Sequence, residues 1–414
     1  MKRLGAIAIT LMMAVGVLMA PPASAATKNL VVWATGDDAS TKVTQAAAKV
    51  FMRQNPGVKV TVQTIGWGDG YAKVLAAAAA RKGPDVITGG LSWGISLGQK
   101  GALADLRPLG VASFVQPKVP SQIYRSLIAY GSSKVYAVPY DLTLMMMFYD
   151  KTVFADNGIA APKTIAEFNA AAQKLKDAGI QVPVYNEWGN ADWLGWFNWL
   201  YSSGGSLYDA KCKVTINNSK GVSALNQYKK LYSDFGAPKP GVADWSMNDN
   251  LKNKKYGIGF SGNFQASSLY TYYRDYKNWN AIPVPAAPGA KSVSFIGGRG
   301  ISVMKYSTKK ALAAKFIRSL YDVNTVTAMN SVGTVENSIF LSPVIKFADS
   351  IASYPSSVLK TIKSQLATAQ GPPNCIGWED SQADVTKEIQ AFLFDGKSAQ
   401  AALDAAAAAM KSRQ

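Results

Sequence analysis

The 414-residue sequence contains no histidine at all. That absence excludes Ser-His-Asp and Cys-His nucleophilic catalysis, histidine-ligated zinc, and an ordinary charge switch near neutral pH. Cysteine is nearly as scarce, with two residues, Cys212 and Cys375. Acidic residues are under-represented, 26 against 44 basic ones, for a formal charge of +18. No G-x-x-x-x-G-K-[ST] phosphate loop occurs, and no metal-ligand motif is present. Beyond the first 25 residues no apolar run reaches the roughly 20 residues needed to span a bilayer.

What is present begins with that leader. Lys2 and Arg3 precede the apolar stretch 4–20, Pro21 and Pro22 break it, and Ala23-Ser24-Ala25 offers small residues for cleavage. This order predicts a signal peptide over 1–25, removed after Ala25, with no nearby Cys to carry a lipid. The mature chain is then expected to be exported, to the periplasm, without a membrane span. Its length exceeds what one hydrophobic core usually serves, so two domains are expected. The basic residues are scattered at helix spacing, as in Lys309, Lys310 and Lys315, and read as a solvated surface, not a nucleic-acid footprint. In an oxidising compartment the two cysteines suit a disulfide; two free buried thiols are the other reading.

Periodicity gives the organisation. Strands are expected at 29–36, 58–65 and 85–88, with helices over 41–55 and 71–81 between them. This strand–helix alternation predicts a mostly parallel sheet with helices on its faces. Further on, strands are expected at 134–139, 144–149, 256–260 and 292–304. Helices are expected at 165–178, capped by Thr164 and stopped by Gly179, then at 193–203, 218–235, 308–320 and from about 398. The Pro/Ala/Gly stretch 282–289 is the best internal linker. Gly257, Gly259 and Gly262 spell G-x-G-x-x-G, but the first two glycines fall inside a strand, so chance explains the match.

Two kinds of residue suggest chemistry. Loop carboxylates at Asp37, Asp38, Asp141, Glu187, Asp192 and Glu336 could serve a histidine-free glycosidase, although no spacing fixes an acid–nucleophile pair. Tryptophans cluster at loops and element ends: Trp67, Trp93, Trp188, Trp193, Trp196, Trp245 and Trp378. Each could pack under a loop. As a set, beside Asp37, Asp38, Asp141 and Asp192 at strand ends, they suit stacking on sugar rings with carboxylates accepting hydroxyl hydrogen bonds.

In order along the chain stand LVVWATGDD (30–38), VFMRQNPGVKVTV (50–62), GPDVITGGLSW (83–93), GALADLRPL (101–109), a 135–168 segment beginning VYAVPYDLT, YGIGFSGNF (256–264), FIGGRGISV (295–303) and GKSAQAALDAAAAAM (396–410). In this collinear order the chain resembles the extracellular solute-binding proteins of ABC importers, carbohydrate-binding (maltose-binding-protein-like) branch. The resemblance implies an α/β, two-lobe periplasmic-binding-protein fold that closes about a hinge on a sugar and needs no cofactor or metal. It implies lobe one at 27–140 plus 287–330 and lobe two at 141–286 plus 331–414, with 282–289 as the second crossing. Both cysteines then fall in lobe two, which favours their pairing.

The resemblance places Asp37 and Asp38 toward sugar hydroxyls and Trp93 as an aromatic platform; Trp67 is a further candidate for ligand contact. Asp141 and Thr143 lie just past the hinge, and Asp192, Trp193 and Trp196 in a lobe-two segment. Phe264 and Asn263 replace the tryptophan and proline of the family's Gly-Pro-Trp turn. Arg299 reads either as a structural salt bridge or as a contact to an acidic sugar; Trp378 is a further cleft residue. The implied function is capture of a mono- or oligosaccharide by a monomer that delivers it to a membrane permease, without catalysis. A secreted glycosidase, and a receptor for a non-sugar solute such as a polyamine, a peptide or an organophosphate, are the alternatives.

Overall fold

The computed structural model describes residues 28–186, 195–239, 247–336, 341–344, 346–347 and 356–414. The expected leader, residues 1–25, lies outside them, as do Glu187, Trp188, Asp192, Trp193 and Trp245.

The chain enters through β1 (Lys28–Thr35), α1 (Asp38–Gln54), β2 (Val58–Ile65), α2 (Trp67–Ala80) and β3 (Val86–Gly90). β1 lies between β2 and β3 and is parallel to both. Helix α1 starts where the Asp37 carboxylate accepts the Ser40 N–H at 2.7 Å, satisfying one of the donors every helix start leaves free. It buries Val43, Ala47, Val50 and Phe51 at helical spacing. Helix α2 begins at Trp67, ahead of the expected position, because Gly68 and Gly70 dilute the helix signal of its first turn. Short helices α3 (Trp93–Gln99), α4 (Val111–Val115) and α5 (Ser121–Ser126) follow.

Next comes β4 (Val138–Asp150), one strand of 13 residues where two were expected. Asp141 and Thr143 read as a break, but Asp141 is neutralised from the neighbouring strand and the ladder runs on. The remaining elements are α6 (Lys151–Asp156), α7 (Ile165–Asp177), β5 (Val182–Asn186), α8 (Trp196–Ser202), α9 (Ser219–Ser233), α10 (Met247–Lys252), β6 (Tyr256–Gly262), α11 (Phe264–Tyr272), β7 (Trp279–Ile282), β8 (Ile296–Val303), α12 (Lys310–Ser319), α13 (Val323–Glu336), α14 (Ser356–Thr368), α15 (Trp378–Phe394) and α16 (Ala399–Ser412). Thr164 and Glu167 form a reciprocal capping box on α7, as its sequence suggests. The three glycines of the G-x-G-x-x-G spelling all lie within β6, so no phosphate-binding turn exists there.

The strand order is β2-β1-β3-β8-β4-β6-β5, with β7 also paired to β4. Among the described strands only β1–β2, β1–β3 and β5–β6 are parallel; β3–β8, β8–β4, β4–β6 and β4–β7 are antiparallel. The sheet is therefore mixed rather than mostly parallel, because β4 and β8 run through its middle in opposite directions. The first half of β4, Val138 to Leu144, pairs with β8, and Met145 to Tyr149 pair with β6.

Strand periodicity divides the apolar run of β4 between two cores. Met145, Met147 and Tyr149 join Phe168, Trp199, Phe260 and Leu403, whereas Leu144, Met146 and Phe148 join Leu269, Trp279 and Ile362. A separate core holds Leu30, Val32, Phe51, Val86, Ile301 and Phe316 at the β1–β3 end. The 282–289 stretch is pinned, not extended across a gap. Ile282 pairs with Met147, and Ala286 exchanges backbone hydrogen bonds with Lys163 and Ile165. β8, which follows this stretch, runs antiparallel beside the first half of β4. Cys212 and Cys375 are disulfide-bonded, their Cα atoms 5.5 Å apart.

Candidate functional site

Glycines at two strand ends make room for aromatic rings. β3 ends in Gly89-Gly90, and the Trp93 indole lies against this backbone. A Cβ on Gly89 would stand 2.3 Å from Trp93 Cε3, and one on Gly90 would stand 2.7 Å from Nε1. Trp67, at the start of α2, meets Trp93 edge-on at 5.9 Å between ring centroids, and Tyr71 one turn later meets it at 5.4 Å. Trp93 is 8% exposed and Trp67 49%, so the open aromatic surface of this cluster belongs to Trp67. At the far end of β6, Phe264 covers Gly262 in the same manner and is 39% exposed. Asn263 fixes that turn, donating its N–H to the Leu144 carbonyl and accepting the Leu144 N–H, each at 2.9 Å.

Between these clusters the sheet carries a buried ion pair. Arg299 sits opposite Gly90 on β3 and opposite Asp141 on β4, beside the register shift between Pro139 and Asp141. Its Nε donates to Asp141 Oδ2 at 2.8 Å, Nη2 reaches the same oxygen, and its backbone N–H donates to Oδ1 at 2.7 Å. Nη1 donates to the Thr35 carbonyl at 3.0 Å, and the guanidinium stands 5.1 Å from the centre of the Tyr140 ring. Burial opposes the Arg299 charge, but the Asp141 carboxylate outweighs it and holds the pKa above the usual value. Gly298 permits the approach. It has φ +112°, and a Cβ there would stand 2.4 Å from the Asp141 carbonyl oxygen.

A polar cluster joins α3 to the start of α15. Lys100 Nζ lies 2.6 Å from Asp380 Oδ1 and donates to Tyr71 Oη at 3.1 Å. Glu379 accepts from Gln382 at 2.7 Å and hydrogen-bonds Ser92. Burial, with Asp380 beside it, pushes the Glu379 carboxyl up to about 7 despite the Ser92 hydrogen bond. Ser92, Lys100, Trp378 and Glu379 line a narrow cavity at this junction. Among the described residues no group of acidic residues or cysteines could hold a metal ion.

Residues 34–322 match the family of bacterial extracellular solute-binding proteins. The chain belongs to that family. Among relatives of this solute-binding protein, the maltodextrin-binding protein of Bacillus subtilis is 24% identical over 339 residues, covering 77% of this chain and 74% of its own. The GacH receptor of Streptomyces glaucescens, solved unliganded and with acarbose, superposes with a TM-score of 0.79 at 23% identity, covering 93% of this chain and 98% of its own. The sugar-binding protein MalE of Xanthomonas citri gives a TM-score of 0.77 at 21% identity, with the same coverage. The fold is thus the α/β, two-lobe architecture of the periplasmic binding proteins. Family membership makes the chain a binding protein and not an enzyme. Among its described residues, no helix is long and apolar enough to cross a membrane.

The loop carboxylates of this solute-binding protein that lie among the described residues have structural partners. Asp37 caps α1, Asp141 holds Arg299, and Glu336 pairs with Lys42 at 2.7 Å. Asp38 is exposed near Asp37, and Thr143 is half-buried on β4. The structure places three further candidates. Arg299 makes the salt bridge that is one of its two readings, its guanidinium donating to Asp141 and to the Thr35 carbonyl. Trp196 is buried against Phe197, and Trp378 packs between Phe197 and Tyr208, almost wholly buried although it lines the cavity at the α3–α15 junction. Both are core because the residues around them, in α8 and under the disulfide, are themselves apolar. Sequence reasoning missed Tyr71, Ser92, Lys100, Glu379 and Asp380. An acidic pair opening a helix reads as a response to the helix dipole, which hides any other use.

Proposed function

We propose that this protein captures a mono- or oligosaccharide between two lobes in the periplasm, as a monomer, and delivers it to the permease of an ABC importer. The observation that carries the reading is the aromatic cluster that follows the ends of β2 and β3. There the half-exposed Trp67 is braced by Trp93, whose ring Tyr71 meets in turn, with Asp37 and Asp38 exposed at the start of α1. Such a ring presents a face to sugar C–H groups while carboxylates accept hydroxyl hydrogens. Phe264 is a second exposed ring; Asp192 and Trp193, outside the described residues, are proposed as further contacts.

Support also comes from relatives named for maltodextrin binding or solved with acarbose. Because Asp141 already balances Arg299, an uncharged sugar suits the site better than an acidic one. The lobes, 27–140 plus 287–330 and 141–286 plus 331–414, would close as ligand touches both, a population shift about the β4–β8 waist.

A thermal-shift screen against neutral mono- and oligosaccharides, acidic sugars, polyamines and peptides tests this. A ligand at a hundred times its dissociation constant raises stability by about 2.7 kcal/mol. A neutral saccharide should give the shift, and Trp67→Ala should remove it without lowering the unliganded melting temperature. A shift from a non-sugar class alone overturns the reading.

A further inference from the structure

Helices α3 and α15 belong to different cores. Leu97 of α3 packs with Ile65, Val74 and Trp93, whereas Val385 and Ile389 of α15 pack with Met145, Trp199 and Leu403. Their contact therefore joins two cores, which the two-lobe reading assigns to different lobes. It is made of polar groups from both sides: Asp380 Oδ1 to Lys100 Nζ at 2.6 Å, and Asp380 Oδ2 to Ser96 Oγ at 3.5 Å. Lys100 and Ser96 in turn converge on Tyr71. The Tyr71 hydroxyl is 2.6 Å from Ser96 Oγ and 3.1 Å from Lys100 Nζ, and its ring edges Trp93. A single carboxylate on α15 is thus linked, through two α3 side chains and one tyrosine, to the aromatic wall on the opposite side of the junction.

We propose that Asp380 is the catch of a cross-cleft latch, gripping Lys100 and Ser96, which favours the closed arrangement before ligand arrives and holds Tyr71 against Trp93. The proposal rests on the two-lobe reading above. The groups of the latch lie at the rim, with Lys100 and Asp380 each more than a third exposed, so the pair can form and break without stranding a buried charge. A contact made only in the closed state raises the closed population by its own equilibrium factor, and raises apparent ligand affinity with it. For an exposed pair that factor is about two- to fivefold. Tyr71 is then a positioning residue, since its hydroxyl acts on ligand only through the Trp93 edge it supports.

Small-angle scattering on the sugar-free full chain tests the latch, because it reads closure with no ligand present. Asp380→Asn and Lys100→Ala should each enlarge the radius of gyration. The charge-swapped double variant, Lys100→Asp with Asp380→Lys, should bring it back toward the parent value. Affinity for a maltooligosaccharide should fall about two- to fivefold in each single variant. Tyr71→Phe should lower affinity while leaving the scattering profile nearly unchanged. Equal radii for parent and single variants overturn the latch. If no sugar binds any of the proteins, the sugar reading fails, and the scattering comparison still decides the latch on its own.

Discussion

Trp93 rests on Gly89 so closely that a single added methyl group would fall 2.3 Å from its Cε3 atom. The strand end and the ring are therefore one unit, with the glycine acting as the seat of the indole. Gly89→Ala should push Trp93 outward and destabilise the fold by about 1–3 kcal/mol, the usual cost of overpacking. Gly68→Ala serves as the control. Gly68 lies within α2 with nothing within 4 Å of a new Cβ, so alanine there should be neutral or stabilising by up to about 1 kcal/mol. Urea denaturation of both variants, followed by ligand titration, separates the seat from a general loss of helix.

The Asp141–Arg299 pair predicts a difference between breaking and replacing a buried charge pair. Asp141→Asn leaves the guanidinium buried without its counter-ion and should cost about 3–5 kcal/mol. The double variant Asp141→Leu with Arg299→Met removes both charges and should be markedly less unstable than the sum of the single changes. A double-mutant cycle in denaturant measures the coupling; additivity of the two single effects would refute the assignment.

Glu379 predicts a stability that falls as pH rises. Its carboxyl is held at about 7 in the folded chain, above its ordinary 4.5. The folded state thus keeps a proton that the unfolded state has released. Its contribution is full below about pH 4.5, declines through the interval up to about 7, and is flat above that. Glu379→Gln should abolish this slope and stabilise the protein at pH 8 by about 1–3 kcal/mol. Melting temperatures of parent and variant at pH 5 and pH 8 provide the check, and equal slopes would count against it.

The Cys212–Cys375 bridge closes a sequence separation of 163 residues and ties the 205–216 turn to the start of α15. Replacing both cysteines with serine should lower stability by about 2–5 kcal/mol. Reductant should lower the melting temperature of the parent and leave that of the double variant unchanged.

Local signals made the first half of the fold readable. The bounds of β2, the cap at Thr164 and the stop at Gly179, with φ +77°, follow from neighbours in sequence. The continuity of β4 does not, because the partner that makes Asp141 tolerable stands 158 positions away. The candidate site divides the same way. The aromatic residues at Trp67 and Trp93 could be picked out by type and by their place at strand ends. Which of the two rings is open depends on Gly89, Gly90 and Tyr71 coming together in space. Lys100 and Asp380 are 280 positions apart, and neither carries any local mark of the other. For Trp378 the local context misleads: a tryptophan after Gly377 looks like a loop residue, yet Phe197 and Tyr208 enclose it.

The alternation along β4 has a consequence for how the molecule melts. Successive methionines, Met145, Met146 and Met147, are anchored in different cores on opposite faces, while the upstream half of the same strand is hydrogen-bonded to β8. Losing either core therefore strips one face from a strand that the other still needs. Calorimetry should accordingly record one cooperative transition, with the β4 amides among the last to exchange with solvent.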